Sequence, residues 1–156
     1  MSQREGSQAI TPVCQDEYDQ LIELWEASVR ATHDFLPEAK INELRPLIRD
    51  HYFPAVTLAS VRSPEGRIAG FIGTAENRIE MLFVHPDFFR QGIGRLLVDY
   101  AVQVQKVDEV DVNEQNPQAI VFYEALGFER FGRSEVDGQG NAFPLLHLRW
   151  KQPAGG

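Results

Sequence analysis

The sequence predicts an α/β fold in which one mixed sheet of about six to seven strands is flanked by about four helices. Three observations carry that expectation. Short runs of alternating side chains are interleaved with stretches in which apolar residues recur every three or four positions. Proline and glycine punctuate the joins between these two kinds of run. The chain has 156 residues, 43% apolar and 24% charged, which is enough to bury one proper core. Residues 10–151 are therefore read as one domain, between a polar tail at 1–9 and a small, loose tail at 152–156.

Taken in order, residues 10–13 read as a first strand. Asp16 then stands as a helix N-cap before Tyr18, Leu21, Ile22, Trp25 and Val29, one stripe of an amphipathic helix that runs to about Arg30. Residues 31–37 break the period. A second stripe of Ile41, Leu44, Ile48 and Tyr52 predicts a helix that Pro46 kinks or divides and Pro54 ends. Residues 56–61 and 67–74 form a hairpin across the turn at 62–66. In the strand at 78–85, Ile79, Met81 and Phe83 are expected on one face, with Glu80, Leu82 and Val84 on the other.

Beyond Pro86 lies a glycine loop, then a helix marked by Ile93, Leu96, Leu97, Tyr100, Ala101 and Val104, ending near Lys106. Residues 107–113 predict a strand. Asn116 and Pro117 supply the N-cap and first position of a helix over 117–126, with Gly127 as the residue past its end and Ala119, Phe122, Tyr123 and Leu126 as its apolar face. Two antiparallel strands at 128–134 and 145–150 follow, joined by a turn at 137–141.

Charge and composition exclude several classes. The formal net charge of −8 disfavours a nucleic-acid surface or binding to an anionic membrane, both of which need clustered Lys and Arg. Cys14 is the only cysteine, and His33, His51, His85 and His147 show no ligand spacing, so no disulfide and no metal site is expected. The start of the chain has no apolar leader and no run is long enough to span a membrane, which makes cytoplasmic the expected location.

The loop of Arg90, Gln91, Gly92, Ile93, Gly94 and Arg95 joins a strand to a helix N-terminus. Unpaired amides and the positive end of the helix dipole suit phosphate oxygens there, and Gly92 and Gly94 let a ligand approach the backbone and permit positive φ. The same Gly-x-Gly pair also serves as a plain turn before a helix, and neither a Walker loop nor a complete G-x-G-x-x-G is present.

The order β, α, α, β, β, β, glycine loop, α, β, α, β, β resembles the GCN5-related N-acetyltransferase superfamily over nearly the whole chain. The family's acetyl-CoA loop reads R/Q-x-x-G-x-G/A, and Phe89, Arg90, Gln91, Gly92, Ile93 and Gly94 occupy it. Phe89 departs from that pattern at the first position. Asn116, Ala119, Tyr123, Gly127 and Phe128 match the downstream N-x-x-A-x-x-x-Y-x-x-x-G-F signature in full. Segments 28–36 and 132–137 are similar to a bacterial subgroup, the YjaB-like N-acetyltransferases.

The resemblance implies a mostly antiparallel mixed sheet splayed between strands four and five, with the pantetheine arm of acetyl-CoA in the gap. Phe83 and Val84 would hold that arm through their backbone, Asn116 would assist, and residues 90–95 would hold the pyrophosphate. Tyr123 takes the family's place of general acid toward the CoA sulfur, although its position on an apolar stripe also fits a core tyrosine. Glu80, a carboxylate among apolar neighbours, is the candidate base for the acceptor ammonium, or else the partner of an Arg across the sheet. His33, Asp34 and Phe35 are candidates to line the acceptor site, or a solvated loop.

The reading that follows is direct acetyl transfer to a primary amine of a small molecule, peptide or protein, without metal or covalent enzyme intermediate. Its rival is a catalytically silent CoA-binding sensor or interaction module, which Phe89 favours. A toxin acetylating aminoacyl-tRNA is disfavoured by the acidic charge. The sequence leaves monomer and homodimer both open.

Overall fold

The strand runs assemble into a seven-stranded sheet in the order β1-β2-β3-β4-β5-β7-β6. Its strands are β1 (Ile10–Pro12), β2 (Thr57–Arg62), β3 (Ile68–Ala75), β4 (Arg78–Val84), β5 (Glu109–Asn113), β6 (Phe128–Ser134) and β7 (Leu145–Trp150). The helices are α1 (Tyr18–Thr32), α2 (Glu38–Leu47), α3 (Ile93–Gln103) and α4 (Pro117–Ala125). This computed structural model describes residues 10–32, 36–136 and 144–151. The two tails, the turn at 137–141 and the loop residues His33, Asp34 and Phe35 lie outside the described residues. No helix among the described residues is long and apolar enough to cross a membrane.

Every neighbouring pair of strands is antiparallel except β4 and β5, which run parallel. A hydrophobic layer covers each face of the β2–β4 arm. One layer packs Ile93, Leu97, Val98 and Ala101 of α3 and Ile120 and Tyr123 of α4 with Val110, Val112, Leu146 and Leu148. The other packs Leu21, Ile22, Trp25 and Val29 of α1 with Ile41, Phe53, Phe71 and the partly buried Met81 and Phe83. That second layer includes no residue of β5, β6 or β7, so the corresponding face of the C-terminal arm is left without a helix over it among the described residues.

Several local details differ from the sequence expectation. The N-cap of the first helical segment is Cys14, not Asp16: a short 3₁₀ turn (Gln15–Glu17) precedes α1, and the Cys14 amide donates to Glu17 Oε1 at 3.0 Å. Pro46 lies within α2, which ends one residue later and passes into a π-helical turn (Ile48–Tyr52) and a 3₁₀ turn (Phe53–Ala55). Removing one donor from the ladder loosens the hydrogen-bond pattern there without stopping the chain's rotation. The buried stripe of α3 is rotated, since Val98 and Val102 are buried while Val104 is 62% exposed and the helix stops at Gln103. On α4, Ile120 joins Tyr123 in the core where the expected face had only partly buried Ala119, Phe122 and Leu126.

The difference that matters most lies in β4. Gly73 pairs with Met81 and Thr74 with Ile79, leaving Glu80 as an extra, bulged residue. A bulge resets the alternation of faces. Ile79 therefore packs with Leu82 and Val84 in the α3 layer, while Met81 and Phe83 pack in the α1 layer, so the expected grouping of Ile79 with Met81 and Phe83 does not hold.

Candidate active site

The parallel ladder between β4 and β5 has two rungs, Arg78 with Glu109 and Ile79 with Val110. Past it the strands part: the rest of β4 pairs with β3 alone, and Asp111, Val112 and Asn113 pair with β7 alone. The β5-facing edge of β4 from Glu80 to Val84 thus presents backbone donors and acceptors with no strand partner among the described residues. Such an edge suits an extended amide-bearing chain, which adds to it as another strand would. Phe83 and Val84 lie at the far end of this edge. The Phe83 ring packs on Phe71 at 5.8 Å between centroids, and Val84 turns toward the α3 layer, so only their main chain is available along the opening.

Glu80 marks the point of divergence. The bulge places its carboxyl at the surface, and among the described residues it makes no ion pair, which removes the alternative of a cross-sheet Arg partner. Arg78 instead lies within reach of Glu109 and Asp111. Partial desolvation raises the Glu80 pKa, Arg78 opposes that shift, and the negative charges of Asp111 and Glu76 reinforce it. A carboxyl poised in this way accepts a proton more readily than an ordinary glutamate.

After β4, Pro86–Phe88 forms a 3₁₀ turn and the chain enters the glycine loop. Arg90 has φ +66° and Gly92 φ +79°, so two residues of this loop adopt left-handed conformations, the kind of backbone from which anion-binding nests are built. Gly92 is the N-cap of α3 and, having no side chain, supplies no capping oxygen, which leaves first-turn amides for an external acceptor. A Cβ on Gly92 would meet nothing within 4 Å among the described residues, which leaves open space above the loop there. Gly94 plays a different part from the one expected: it has no positive φ, and an added Cβ would lie 3.2 Å from Phe122 Cζ. Its small size admits the Phe122 ring. Ile93 is 1% exposed and anchors the turn in the core. Arg95 is exposed, with Asp99 at 4.0 Å, and Arg90 and Gln91 are exposed as well.

Gly70 seats this helix on the sheet. A Cβ there would come within 2.8 Å of Ile93 Cγ2, so a larger residue would push the first turn of α3 away from β3. On α4, Asn116 accepts a hydrogen bond from the Ala119 amide at 3.2 Å and Gly127 closes the helix at φ +107°, as their positions predicted. Tyr123 is 6% exposed, its ring edge-on to Phe122 and Phe128. Its hydroxyl has no hydrogen-bond partner among the described residues, and burial raises its pKa well above the ordinary phenol range. Tyr123 thus lies in the core layer formed with α3, its phenol held in the protonated form.

Unpaired strand edge, donor-rich helix start and protonated tyrosine together match what a pantetheine–pyrophosphate cofactor requires. Residues 55–130 match the family described as Acetyltransferase (GNAT) domain. The fold is also that of PaiA N-acetyltransferase from Thermoplasma acidophilum, solved in complex with coenzyme A, at a TM-score of 0.72 and 18% identity over 92% of this chain and 98% of that one. A bacterial protein from Salmonella typhimurium (strain LT2) is 41% identical over 133 residues, 85% of this chain and 91% of its own length. The chain belongs to the GCN5-related N-acetyltransferase family, and it is an acetyl-CoA-dependent N-acetyltransferase.

The Salmonella relative is the peptidyl-lysine N-acetyltransferase YjaB. Its namesake from Escherichia coli (strain K12) is 38% identical over 135 residues, 86% of this chain and 91% of that protein. The solution structure of apo YjaB from Escherichia coli gives a TM-score of 0.81 at 36% identity, covering 91% of this chain and 96% of that one.

Proposed function

We propose that residues 10–151 form one acetyltransferase domain that acetylates a lysine side chain of a peptide or protein, in a ternary complex with acetyl-CoA. The observation that carries this reading is the β4–β5 opening, with an unpaired backbone edge, a bulged proton-accepting carboxyl at its start and the bare N-terminus of α3 beyond its end. The similarity to two peptidyl-lysine N-acetyltransferases over most of their length supports lysine as the acceptor. Acetyl-CoA is an intracellular metabolite, which supports a cytoplasmic site of action.

Acetyl-CoA supplies an activated acetyl carbon and a thiol leaving group. The amides of residues 90–95 bind its phosphates, with Arg90 and Arg95 adding charge, and the main chain of Phe83 and Val84 orients the pantetheine arm, assisted by Asn116. Glu80 takes a proton from the acceptor ammonium, freeing the nitrogen lone pair. Tyr123 donates its hydroxyl proton toward sulfur as negative charge develops there. Because burial holds this phenol above the range of a thiol near 8.5, the hydrogen bond rather than full proton transfer carries the stabilisation.

Incubation with acetyl-CoA and a panel of lysine peptides, polyamines and small amines tests the assignment, with free thiol and acetylated product both measured. Lysine peptides are expected to give the highest kcat/KM. Preference for a small amine would replace the acceptor, and CoA binding without thiol release on any amine would favour the silent module.

A further inference from the structure

Three side chains on the helix-free face of the C-terminal arm form a hydrogen-bonded line that the mechanism above leaves unused. His147 of β7 stands opposite Asp111 of β5 in the ladder, and its Nδ1 lies 2.7 Å from Asp111 Oδ1. Its Nε2 lies 2.7 Å from Ser134 Oγ on β6. The surrounding strand is shaped to permit this. A bulge at Phe131 sets Gly132 opposite His147, and a Cβ at Gly132 would come 3.3 Å from the imidazole Cδ2, so the ring can lie across β6 and reach Ser134.

Asp111 is the first residue of β5 past the last rung with β4, as Glu80 is on β4. It therefore connects the line to the opening. Lysine acetylation requires such an exit, because an ammonium gives up two protons in becoming an amide nitrogen and the departing sulfur takes only one. The C–S bond breaks, the N–C bond forms, and one proton per turnover must reach solvent.

We propose that Asp111, His147 and Ser134 form a proton relay that carries this second proton from the acceptor site to water. The relay rests on the acetyl-transfer reading given above. Asp111 passes the proton from the opening to the imidazole. The neutral ring that takes this proton at Nδ1 carries its hydrogen on Nε2, donated to the Ser134 hydroxyl. The imidazolium then donates from Nδ1 to Asp111 and from Nε2 to Ser134, loses the Nε2 proton to water by way of that hydroxyl, and regains the Nε2–H tautomer before the next turnover. The charged groups around the line are Arg78, 3.7 Å from Asp111 Oδ2, and the Glu109–Arg149 pair, whose guanidinium covers the Phe131 ring.

The test measures kcat, KM for a lysine peptide and the CoA-induced melting shift of His147→Ala in weakly buffered solution, with and without added imidazole. Turnover is expected to fall roughly tenfold at unchanged KM and CoA shift, and imidazole is expected to restore it while leaving wild type unaffected. Combining His147→Ala with Asp111→Asn is expected to cost no more than either alone, as for members of one unit. Wild-type turnover in His147→Ala, with chemistry limiting, would overturn the relay, as would a loss that imidazole does not relieve. Should His147→Ala fail to fold, Ser134→Ala takes its place, with a smaller imidazole-sensitive loss expected and unchanged turnover counting against the relay. A wild-type protein that releases no thiol with any amine overturns the acetyl-transfer reading itself, before any variant is compared.

Discussion

At the scale of single residues, Tyr123 and Glu80 each have a property that packing alone would not select. A hydroxyl without a partner among the described residues, on a tyrosine that is 6% exposed, costs roughly 1–3 kcal/mol relative to a satisfied one. Tyr123→Phe keeps the ring contacts with Phe122 and Phe128 and removes that cost. The variant is expected to melt no lower than wild type while losing on the order of 10²-fold in turnover, with CoA affinity little changed. Near wild-type turnover in a chemistry-limited assay would take Tyr123 out of the mechanism. Glu80 binds its proton more tightly in the folded state than in the unfolded chain, because its pKa is raised chiefly by desolvation. Its contribution to stability is therefore present at low pH and is lost as pH rises through the raised value. Glu80→Gln is expected to help stability more at about pH 7 than at about pH 4, while the acidic limb of the pH–rate profile disappears. Retention of that limb would place the base elsewhere.

At the scale of elements, the start of α3 and the α1–α2 pair make separate predictions. Gly92→Val forces a β-branched residue to φ +79°, at a cost of about 1–2 kcal/mol, and fills the open space above the loop. A folded variant is expected to lose most of the CoA-induced melting shift; an undiminished shift would contradict phosphate binding there. Helix α2 buries only Ile41 from its own span and is tied to α1 by ion pairs of Arg45 with Glu23 and Glu26, and of Glu38 with Arg30, while Glu26 also pairs with Arg30 within α1. The Glu26 pKa is lowered, first by the Arg30 hydrogen bond, so its contribution is present above the ordinary carboxylate range and is lost as pH falls. Glu26→Gln is expected to cost about 0.5–1 kcal/mol near neutrality, less in high salt, and nothing in acid, as urea melts at several pH values would report.

These elements also show what the sequence made legible. The caps of α4 were readable because Asn116 and Gly127 act on their own neighbours within one turn. The bulge at Glu80 was not, since a bulge is a mismatch between two strands and leaves no mark on one of them. The rotated face of α3 belongs to the same category, because which valines are buried depends on where β3 meets the helix at Gly70.

At the scale of the molecule, function arises where the sheet comes apart. The order of elements and the two motifs were displayed by the sequence, and the parting of β4 from β5 was implied by the family resemblance, while the strand order and the rungs at which they part came from the structure. The line from Asp111 to His147 and Ser134 was hidden, because its members come together only through the registers of β5, β6 and β7. Transfer of acetyl through the β4–β5 opening is the central claim, and one measurement addresses it most directly. Purified protein is given acetyl-CoA and a lysine peptide, and the peptide's mass and the free thiol are followed together. The account predicts one added acetyl group per thiol released, with Glu80→Gln and Tyr123→Phe each slowing both signals equally. Thiol release without acetylated peptide, or equal rates in both variants and the wild type, would contradict it.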